Sequence, residues 1–512
     1  MSTVTAISSV LTLGELLGAH CPRGLVERVV SGLRDDSRQV TPGDLFFARS
    51  GAHVEGVRFA RDAMSRGAAG VVVPAHMADA ARADLPDGAP LIPVPDVLEV
   101  MASAANRFHA DPLSDLRLVG VTGTNGKTSV ARFIAGALAT VTGPVGKIGT
   151  LGVTLMDRDH ERQLAETVNT TPGTLALFEA LAAIRDAGAR YAVMEVSSHA
   201  LTQRRLAGVP LEVGVFTNLS RDHLDYHGDL ESYFEAKALL FTHPGLREAV
   251  INMDDRHGRI LLERFGDRLS CWAFGLGDAP WEAGDSQQVH ATDLRYSRDG
   301  LALSVETGFG SGSIQSPLFG AFNASNLLAA LAALLALGMP QDQALAALGQ
   351  VPPPPGRMQR LRTRPGQPQV IVDYAHTPDA LEQVLVALRG HVVGRLHCIF
   401  GCGGERDPGK RPQMGAVAEG HADRVVVTDD NPRTEPGEII VAQILSGMRA
   451  PDEAIVQRDR RLAIVETLAA AAADDLVLIA GKGHEDYQEI DGQRLPFSDI
   501  EVARHWVEGQ AA

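Results

Sequence analysis

Short β-branched runs alternate with helical segments along most of the chain. This alternation is typical of α/β layers built on parallel sheets. The runs predict buried strands over 117–122, 191–196, 213–218, 370–373, 396–400, 424–428 and 475–480. Nearly every run is followed at once by a loop with polar residues, glycine or histidine. Because ligands in open α/β sheets bind outside the carboxyl ends of strands, the chemistry is expected in these loops.

Breaks in this pattern divide the 512 residues into about three domains, as the usual domain size also suggests. Pro352–Pro355 cannot continue a helix and stiffens the chain, which predicts a hinge. An earlier break is expected near 95–115, before the strand at 117. We therefore predict an α/β protein with a small N-terminal α/β domain (1–97), a central P-loop-type ATPase sheet (98–351) and a C-terminal Rossmann-like domain (352–512).

Two segments differ from the α/β pattern. Region 280–315 is polar and rich in glycine and serine, which predicts a peripheral β hairpin. The Ala/Leu-rich stretch 324–338 is the nearest approach to a membrane span, but it is shorter than the about 18 residues required and polar at its start. It is interpreted as a buried helix.

Composition narrows the classes of function. The formal net charge of -16 opposes nonspecific binding to nucleic acid or anionic membranes, since both need a positive field. The N-terminus lacks a basic region and carries Glu15, so it is not a signal peptide. We expect a cytoplasmic monomer with no membrane insertion and no nucleic-acid partner. Cys398 and Cys402 flank a strand end, and two buried or loop thiols are favoured there over a metal site.

Residues 118–130 (LVGVTGTNGKTSV) predict a strand, a glycine loop and a helix. Glycines let backbone N–H groups approach phosphates, and the helix N-terminus adds positive potential. Lys127 can reach the β/γ oxygens, and the Thr128 hydroxyl can reach Mg²⁺. The spacing departs from the common G-x-x-x-x-G-K-[ST] loop because position 121 is valine. The predicted ATP-binding residues are Gly123, Thr124, Asn125, Gly126, Lys127, Thr128 and Ser129.

Three further segments carry chemistry in the same domain. Glu195 ends a predicted strand and can ligate a hard cation. The next segment, TNLSRDHLDYHG, places acidic and imidazole side chains after another strand: Asp222, His223, Asp225 and His227. Lys237 lies on a largely apolar helix, where a lysine ordinarily extends to water. Each residue alone has a structural explanation, but their joint occurrence after a phosphate loop favours function.

Together these motifs resemble the Mur ligase superfamily. The later segments DYAHTPDAL, FGCGGERDPGKRP, TDDNPR and GKGHE resemble its MurE branch, which adds the third residue of the stem peptide. The resemblance runs from about Asp36 to Tyr487. It implies that Mg²⁺ is held by Thr128, Glu195, His223 and carbamylated Lys237, with Lys127, Glu195, His223 and Lys237 catalytic. Carbamylation needs a neutral amine, which a buried lysine can offer.

The resemblance also implies how the substrates bind. Asn323 and Arg357 would contact ATP, whereas Asp373 and His376 would help to close the active site. The N-terminal domain would hold the UDP end through Ser37, with His53 a weaker candidate. The muramyl-peptide portion would meet Asn169, Thr170, Thr171, Ser197, Gln203 and Arg205. The segment NTTPG is equally well explained as a turn with side-chain caps.

In the C-terminal domain the resemblance places the amino-acid site at Arg406, Asp430, Asn431, Pro432, Arg433, Gly481 and Glu485. Arg433 can meet a carboxylate in bidentate fashion and Glu485 can meet an ammonium. This pair favours meso-2,6-diaminopimelate over L-lysine or L-ornithine, although Arg433 bracing its own loop is the alternative. The implied reaction adds that diamino acid to a UDP-MurNAc-dipeptide through an acyl phosphate.

Other classes of protein fit the sequence less well. A sister ligase that adds D-Glu or D-Ala-D-Ala, or a folylpolyglutamate synthetase, is disfavoured by DNPR and GKGHE in one domain. A P-loop switch protein would carry the N-K-x-D guanine motif, which the sequence lacks. A catalytically dead scaffold is disfavoured because every expected phosphate and metal residue is present.

Overall fold

The computed structural model describes residues 11–49, 55–158, 160–277 and 286–509. They form two compact units. The first contains the described residues up to Phe274 and the segment Ala332–Met339, and the second contains Gln288–Leu331 and the described residues from Pro340 onward. Within these described ranges, no helix is both long and apolar enough to cross a membrane.

The N-terminal part of the first unit contains a small parallel sheet. Its elements are β1 (Leu11–Thr12), α1 (Leu13–Leu17), β2 (Val29–Val30), β3 (Gly32–Arg34), β4 (Asp44–Phe47), α2 (Ala60–Ser65), β5 (Gly70–Pro74), α3 (Ala78–Ala83), β6 (Leu91–Val94) and α4 (Val97–Phe108). Strands β3, β4, β5 and β6 pair in that order and run parallel. The runs DLFF and GVVVP are almost wholly buried, as expected for parallel strands covered on both faces.

The same unit continues with a larger sheet that carries the phosphate loop. Its elements are β7 (Arg117–Thr122), α5 (Lys127–Thr142), β8 (Val145–Gly149), β9 (Gly152–Asp157), β10 (His160–Ala165), α6 (Thr174–Asp186), β11 (Tyr191–Glu195), α7 (Ser198–Thr202), β12 (Val213–Phe216), α8 (Leu224–His227), α9 (Leu230–Ala238), β13 (Glu248–Asn252), α10 (Arg256–Phe265) and β14 (Ser270–Gly275). The order is β10-β9-β8-β11-β7-β12-β13-β14. Because β11, β7 and β12 are parallel neighbours, their carboxyl ends meet at one edge.

An ion cluster with two buried cations fastens the edge strand β10 of this sheet. Glu161 on β10 accepts from Lys147 Nζ at 2.7 Å and from Thr154 Oγ1 at 2.9 Å, and it pairs with Arg132 on α5. Lys147 is 1% exposed. Burial raises the pKa of Glu161, but the two cations outweigh burial and lower it to about 2. The phosphate-loop helix is thereby tied to the β8–β9–β10 hairpins.

The second unit contains three antiparallel strands and a mostly parallel sheet; two of its elements extend into the first unit, β15 by Gln287 and α11 by Ala332–Ala336. Its elements are β15 (Gln287–Ser297), β16 (Gly300–Thr307), β17 (Gly310–Ser316), α11 (Ala321–Ala336), α12 (Gln341–Leu348), β18 (Gln359–Leu361), β19 (Gln369–Asp373), α13 (Pro378–Arg389), β20 (Leu396–Phe400), α14 (Lys410–His421), β21 (Arg424–Val427), α15 (Gly437–Leu445), β22 (Ile455–Val456), α16 (Arg460–Ala470), β23 (Leu476–Ala480), β24 (Tyr487–Ile490), β25 (Gln493–Pro496) and α17 (Asp499–Glu508). Strands β15, β16 and β17 are antiparallel. The other sheet has the order β18-β19-β23-β20-β21-β22, with only β18 antiparallel to its neighbour.

The predicted strands are all present: those over 117–122 and 396–400 have the predicted bounds, and each of the other five differs at one end by one or two residues. The strand predicted over 213–218 ends at Phe216, because Thr217 and Asn218 turn to hold the phosphate loop. The predicted buried helix is α11, and β15–β17 confirm the hairpin region, apart from residues 278–285, which lie outside the described residues.

Both cysteines of the doubtful metal pair are buried thiols. Cys398 lies in β20 and Cys402 lies just after it. Burial raises the pKa of each thiol to about 12. The burial of both thiols agrees with the preferred interpretation.

A fully buried ion pair fastens α17 to α16 in the second unit. Arg460 donates to Asp499 through Nε at 2.7 Å and through Nη2 at 2.8 Å, and neither side chain is exposed. We expect Arg460→Ala to destabilise this unit by about 3–5 kcal/mol, because it leaves a buried carboxylate unpaired. Differential scanning calorimetry would measure the loss. Arg504→Ala, which breaks a half-exposed pair on the same helix, should cost under about 1 kcal/mol; equal losses would contradict the prediction.

Candidate active site

The phosphate loop leaves β7 at Thr122 and enters α5 at Lys127. Gly123 has φ 144° and Gly126 has φ 86°, both in the region that favours glycine. A Cβ at position 123 would collide with the Thr217 hydroxyl. The adjoining loop after β12 holds the phosphate loop, since the Asn125 amide donates to Asn218 Oδ1 at 2.9 Å.

Two lysines converge on the carbonyl of Gly123. Lys127 Nζ donates to the Gly123 oxygen at 2.8 Å and to the Thr124 oxygen at 2.9 Å. Lys237 Nζ donates to the same Gly123 oxygen at 2.8 Å. Lys237 is 1% exposed, and its Nζ lies 4.4 Å from the centre of the Tyr233 ring. Lys237 therefore does not extend to water as a helix-surface lysine would.

The surroundings of Lys237 favour its neutral amine. Burial lowers the pKa of Lys237 well below its ordinary value, the cation of Lys127 lowers it further, and Asp222 acts in the opposite direction. A neutral lysine amine is a nucleophile, whereas an ammonium is not. The site therefore has the property that carbamylation by CO₂ requires.

Glu195 ends β11 beside the loop threonine. Its Oε2 accepts from Thr128 Oγ1 at 2.8 Å, and its Oε1 accepts from the Thr150 amide at 3.1 Å. Glu195 is 1% exposed. A carboxylate and a hydroxyl at this position are oxygen donors of the kind that a hard cation binds. Ser129 follows in the first turn of α5.

His223 is placed less closely than the other predicted cation ligands. It has φ 53°, is half exposed, and its Nε2 lies 3.5 Å from Asp222 Oδ2. Within the described part of the chain, no group of three or more His, Cys, Asp or Glu residues is arranged to hold a metal. The structure thus joins Thr128 and Glu195 directly. His227 bonds Ser198 Oγ through Nε2 at 2.9 Å.

The residues predicted to hold the muramyl peptide line the segments next to Glu195. Thr171 is fully buried; its hydroxyl donates to the Glu195 carbonyl at 2.8 Å and accepts from the Ser197 amide at 3.0 Å. These contacts tie the NTTPG segment to the end of β11, and both interpretations of the segment stay predictions. Thr170 Oγ1 lies 3.2 Å from Thr150 Oγ1, and Asn169 is exposed.

Arg205 is held in place by its neighbours. Its Nη1 donates to the Thr171 carbonyl at 2.7 Å and its Nη2 to Gln203 Oε1 at 2.8 Å. Burial lowers the pKa of Arg205, and the nearby cation of Arg49 adds to the effect. Sequence reasoning missed Arg49, since nothing in its local pattern indicates that the fold brings it towards Arg205.

The predicted UDP residue Ser37 is buried in the short turn between β3 and β4. The weaker candidate, His53, lies outside the described residues. Ser37 belongs to the same unit as Gln203 and Arg205.

In the second unit, the predicted nucleotide contacts are occupied by local partners. Asn323 is buried and donates through Nδ2 to the Phe319 carbonyl at 2.9 Å. Arg357 is exposed, with its guanidinium 4.8 Å from the centre of the Tyr374 ring. His376 Nδ1 lies 2.8 Å from the Tyr374 carbonyl.

Asp373 shapes the chain around β19. Its two carboxylate oxygens accept from the backbone amides of Met358 and Ala375, each at 2.7 Å. Burial raises the pKa of this carboxyl group. These contacts give Asp373 a structural role, because its carboxylate holds the backbone at Met358 and Ala375 in place.

The predicted amino-acid residues surround a buried lysine that the sequence interpretation did not single out. Lys482 is fully buried and donates to Asn431 Oδ1 at 3.0 Å and to Glu485 Oε2 at 2.9 Å. Asn431 Nδ2 donates to the same Glu485 oxygen at 3.0 Å. Lys482 therefore balances the charge of Glu485 and fixes its orientation.

Arg433 and Gly481 occupy restricted backbone positions beside this network. Arg433 has φ 55°, and its Nη1 donates to the Gly404 carbonyl at 2.7 Å. Gly481 has φ 118°, and a Cβ there would press on the Asp430 carboxylate. Asp430 and Pro432 are buried, whereas Arg406 is exposed. The Arg433 contact is one that a bracing residue would make, so both interpretations of this arginine remain predictions.

A glycine loop at a helix N-terminus, with a carboxylate against its threonine, is the arrangement of a site that binds the phosphates of a nucleoside triphosphate. Three family models match the chain: the Mur ligase family catalytic domain over 29–109, the Mur ligase middle domain over 121–334 and the Mur ligase glutamate ligase domain over 356–483. The chain belongs to the Mur ligase family.

Two similar proteins are each named UDP-N-acetylmuramoyl-L-alanyl-D-glutamate–2,6-diaminopimelate ligase. The Xanthomonas campestris protein is 49% identical over 93% of each chain, and the Pseudomonas aeruginosa protein is 48% identical over 94% of this chain and 96% of that protein. A solved structure with the same description has 36% identity and a TM-score of 0.75, and covers 98% of this chain and 99% of that chain.

The backbone at Gly123 yields a test of the phosphate loop. We expect Gly123→Ala to weaken ATP binding by at least about 100-fold, because both the φ angle and the Thr217 hydroxyl exclude a Cβ. Titration calorimetry with ATP would measure the affinity.

Gly143→Ala is the matched control for this variant. Gly143 also has a positive φ, 84°, but nothing lies within 4 Å of its Cβ position. It should lose only about 1 kcal/mol of stability and keep its ATP affinity. An unchanged affinity in Gly123→Ala would show that the loop tolerates the side chain.

Proposed function

We propose that this chain ligates meso-2,6-diaminopimelate to UDP-N-acetylmuramoyl-L-alanyl-D-glutamate, using ATP, in peptidoglycan synthesis. The observation that carries the proposal is the convergence of Lys127, Lys237 and the Thr128–Glu195 pair at the edge of the sheet. Relatives at about 48% identity over most of the chain support the choice of substrates. We place the reaction in the cytoplasm, in a monomer with residues 1–97, 98–351 and 352–512 binding UDP, ATP and the amino acid.

Mg²⁺, which the family implies, suits the hydroxyl of Thr128 and the carboxylate of Glu195, because both offer hard oxygen ligands. When bound there it would neutralise charge on the phosphates. His223 and the carbamate of Lys237 would complete the set of ligands. The carbamate would form when the neutral amine attacks CO₂ and releases a proton, which turns an uncharged amine into an anion with two oxygen ligands.

Phosphoryl transfer then needs mainly positioning and charge stabilisation. Lys127 would turn from the loop carbonyls to the β- and γ-phosphates. The D-glutamyl carboxylate attacks the γ-phosphorus, so an O–P bond forms and the bond to ADP breaks. The diamino acid's amine next attacks the acyl carbon; a C–N bond forms, phosphate leaves and the amine loses a proton.

Substrate binding completes the assignment of residues. Gln203 and Arg205, with Ser37 and the Asn169–Thr171 segment, would hold the UDP-linked dipeptide. Arg433 would meet the distal carboxylate of diaminopimelate, and Glu485 its ammonium, with Lys482 keeping the Glu485 carboxylate oriented.

Lys237 provides the first test of this mechanism. We expect Lys237→Ala to abolish phosphate release and to recover part of the activity when a short carboxylate such as acetate is added, because the acid replaces the carbamate. Lys127→Ala is the control, since it removes a cation and an added acid should not restore it. Full activity in Lys237→Ala without acid would eliminate the carbamate.

The choice of amino acid provides a second test. We expect phosphate release with the UDP-linked dipeptide to have a kcat/KM at least about 100-fold higher for diaminopimelate than for L-lysine or L-ornithine, since neither of these supplies the distal carboxylate that Arg433 would bind. Arg433→Met should reduce the ratio of the kcat/KM for diaminopimelate to the kcat/KM for L-lysine or L-ornithine. If Arg433 only braces its loop, all three amino acids lose activity in proportion, and turnover with lysine equal to that with diaminopimelate would reject the proposed recognition.

A further inference from the structure

Gln203, Arg204 and Arg205 follow α7, and the side chain of Arg204 points away from the other two. Arg204 has φ 51°, a left-handed conformation that few residues other than glycine adopt. Gln203 and Arg205, on either side of it, bond to each other, and Arg205 also reaches the Thr171 carbonyl. Arg204 instead extends to α4. The turn at position 204 therefore separates two predicted substrate contacts from one cation that faces away from them.

Arg204 bonds to the start of α4 through both terminal nitrogens of its guanidinium group. Its Nη1 donates to Asp96 Oδ2 at 2.8 Å, and its Nη2 donates to Glu99 Oε1 at 2.8 Å. Asp96 is also the N-cap of α4, since its Oδ1 accepts from the Leu98 amide at 2.9 Å. Helix α4 follows directly on β6 of the small sheet, whose β3–β4 connection contains Ser37. Arg204 thus connects the small sheet to the Gln203–Arg205 segment.

A pocket of about 610 Å³ lies against this segment, lined by Glu99 and Arg204 and by apolar side chains that include Leu113, Leu206, Val209 and Leu239. Beside this pocket, the two ion pairs of Arg204 are hydrogen-bonded ties between the segment and α4.

We propose that Arg204 is a positioning residue for the UDP-linked substrate. It fixes the separation between the small sheet, which is assigned the uridine end, and Gln203 and Arg205, which are assigned the muramyl peptide. A long substrate held at both ends binds best when that separation is preset. The inference rests on the proposed roles of Ser37, Gln203 and Arg205.

The test compares Arg204→Ala, Arg204→Gly and Arg204→Lys by steady-state phosphate release, with each substrate varied in turn. We expect Arg204→Ala and Arg204→Gly to raise the KM for the UDP-linked dipeptide about five-fold alike. The pairs are half exposed, which limits the size of the effect. The KM values for ATP and diaminopimelate, and kcat, should stay within two-fold. Arg204→Lys, which can satisfy only one carboxylate, should show an intermediate KM.

The glycine variant separates positioning from backbone strain. Glycine accepts a φ of 51° without strain, so Arg204→Gly should melt at a higher temperature than Arg204→Ala although both lack the ion pairs. If the KM follows the melting temperature instead of the ion pairs, the proposal is wrong. Adding Glu99→Gln to Arg204→Ala should raise the KM no further, because the partner is already lost.

Arg389→Ala is the matched control, because Arg389 forms a similarly exposed pair with Asp423 at 2.7 Å in the second unit. It should leave every KM unchanged. A rise in all three KM values with Arg204→Ala, or no rise in the dipeptide KM, would overturn the inference. Inactive wild-type enzyme would instead refute the proposed function, and calorimetric binding of the UDP-linked dipeptide to wild type and Arg204→Ala would still decide the role of Arg204.

Discussion

The carbonyl oxygen of Gly123 accepts a hydrogen bond from the Nζ of each of two lysines, and the rest of the site depends on this convergence. Burial, with the nearby cation of Lys127 added to it, lowers the pKa of Lys237 and favours its neutral amine. The Gly123 carbonyl therefore contacts both Lys237, the lysine proposed to be carbamylated, and Lys127, the lysine proposed to bind the phosphates of ATP.

Local patterns in the sequence were sufficient for the parallel strands, the phosphate loop and the helix of Lys237. Each is encoded by a run of residues whose spacing sets its own structure. The sequence could not show that Lys237 is 1% exposed, since burial depends on Tyr233 and on a loop more than 100 positions away. Arg204 and Arg49 were missed for the same reason, because their partners come from remote elements.

The amino-acid residues illustrate a second limit of sequence reasoning. Charge matching alone treats Glu485 as an open anion, but the fold places the buried ammonium of Lys482 against one of its oxygens. Glu485 then acts as an oriented acceptor in a nearly balanced pair, which can select a donor by direction as well as by charge. Arg433 is likewise partly engaged by the Gly404 carbonyl before any ligand arrives.

The ion cluster at β10 has a consequence for how the protein behaves at high concentration. An outermost strand offers unpaired backbone groups to strands of other molecules, which is a common start of aggregation. Here that strand, His160–Ala165, is strongly polar, and Glu161 turns its charge inwards to Lys147. A strand from another molecule that paired with β10 would have to cover these charged groups. The cluster that ties α5 to β10 therefore also opposes edge-to-edge association of the sheet.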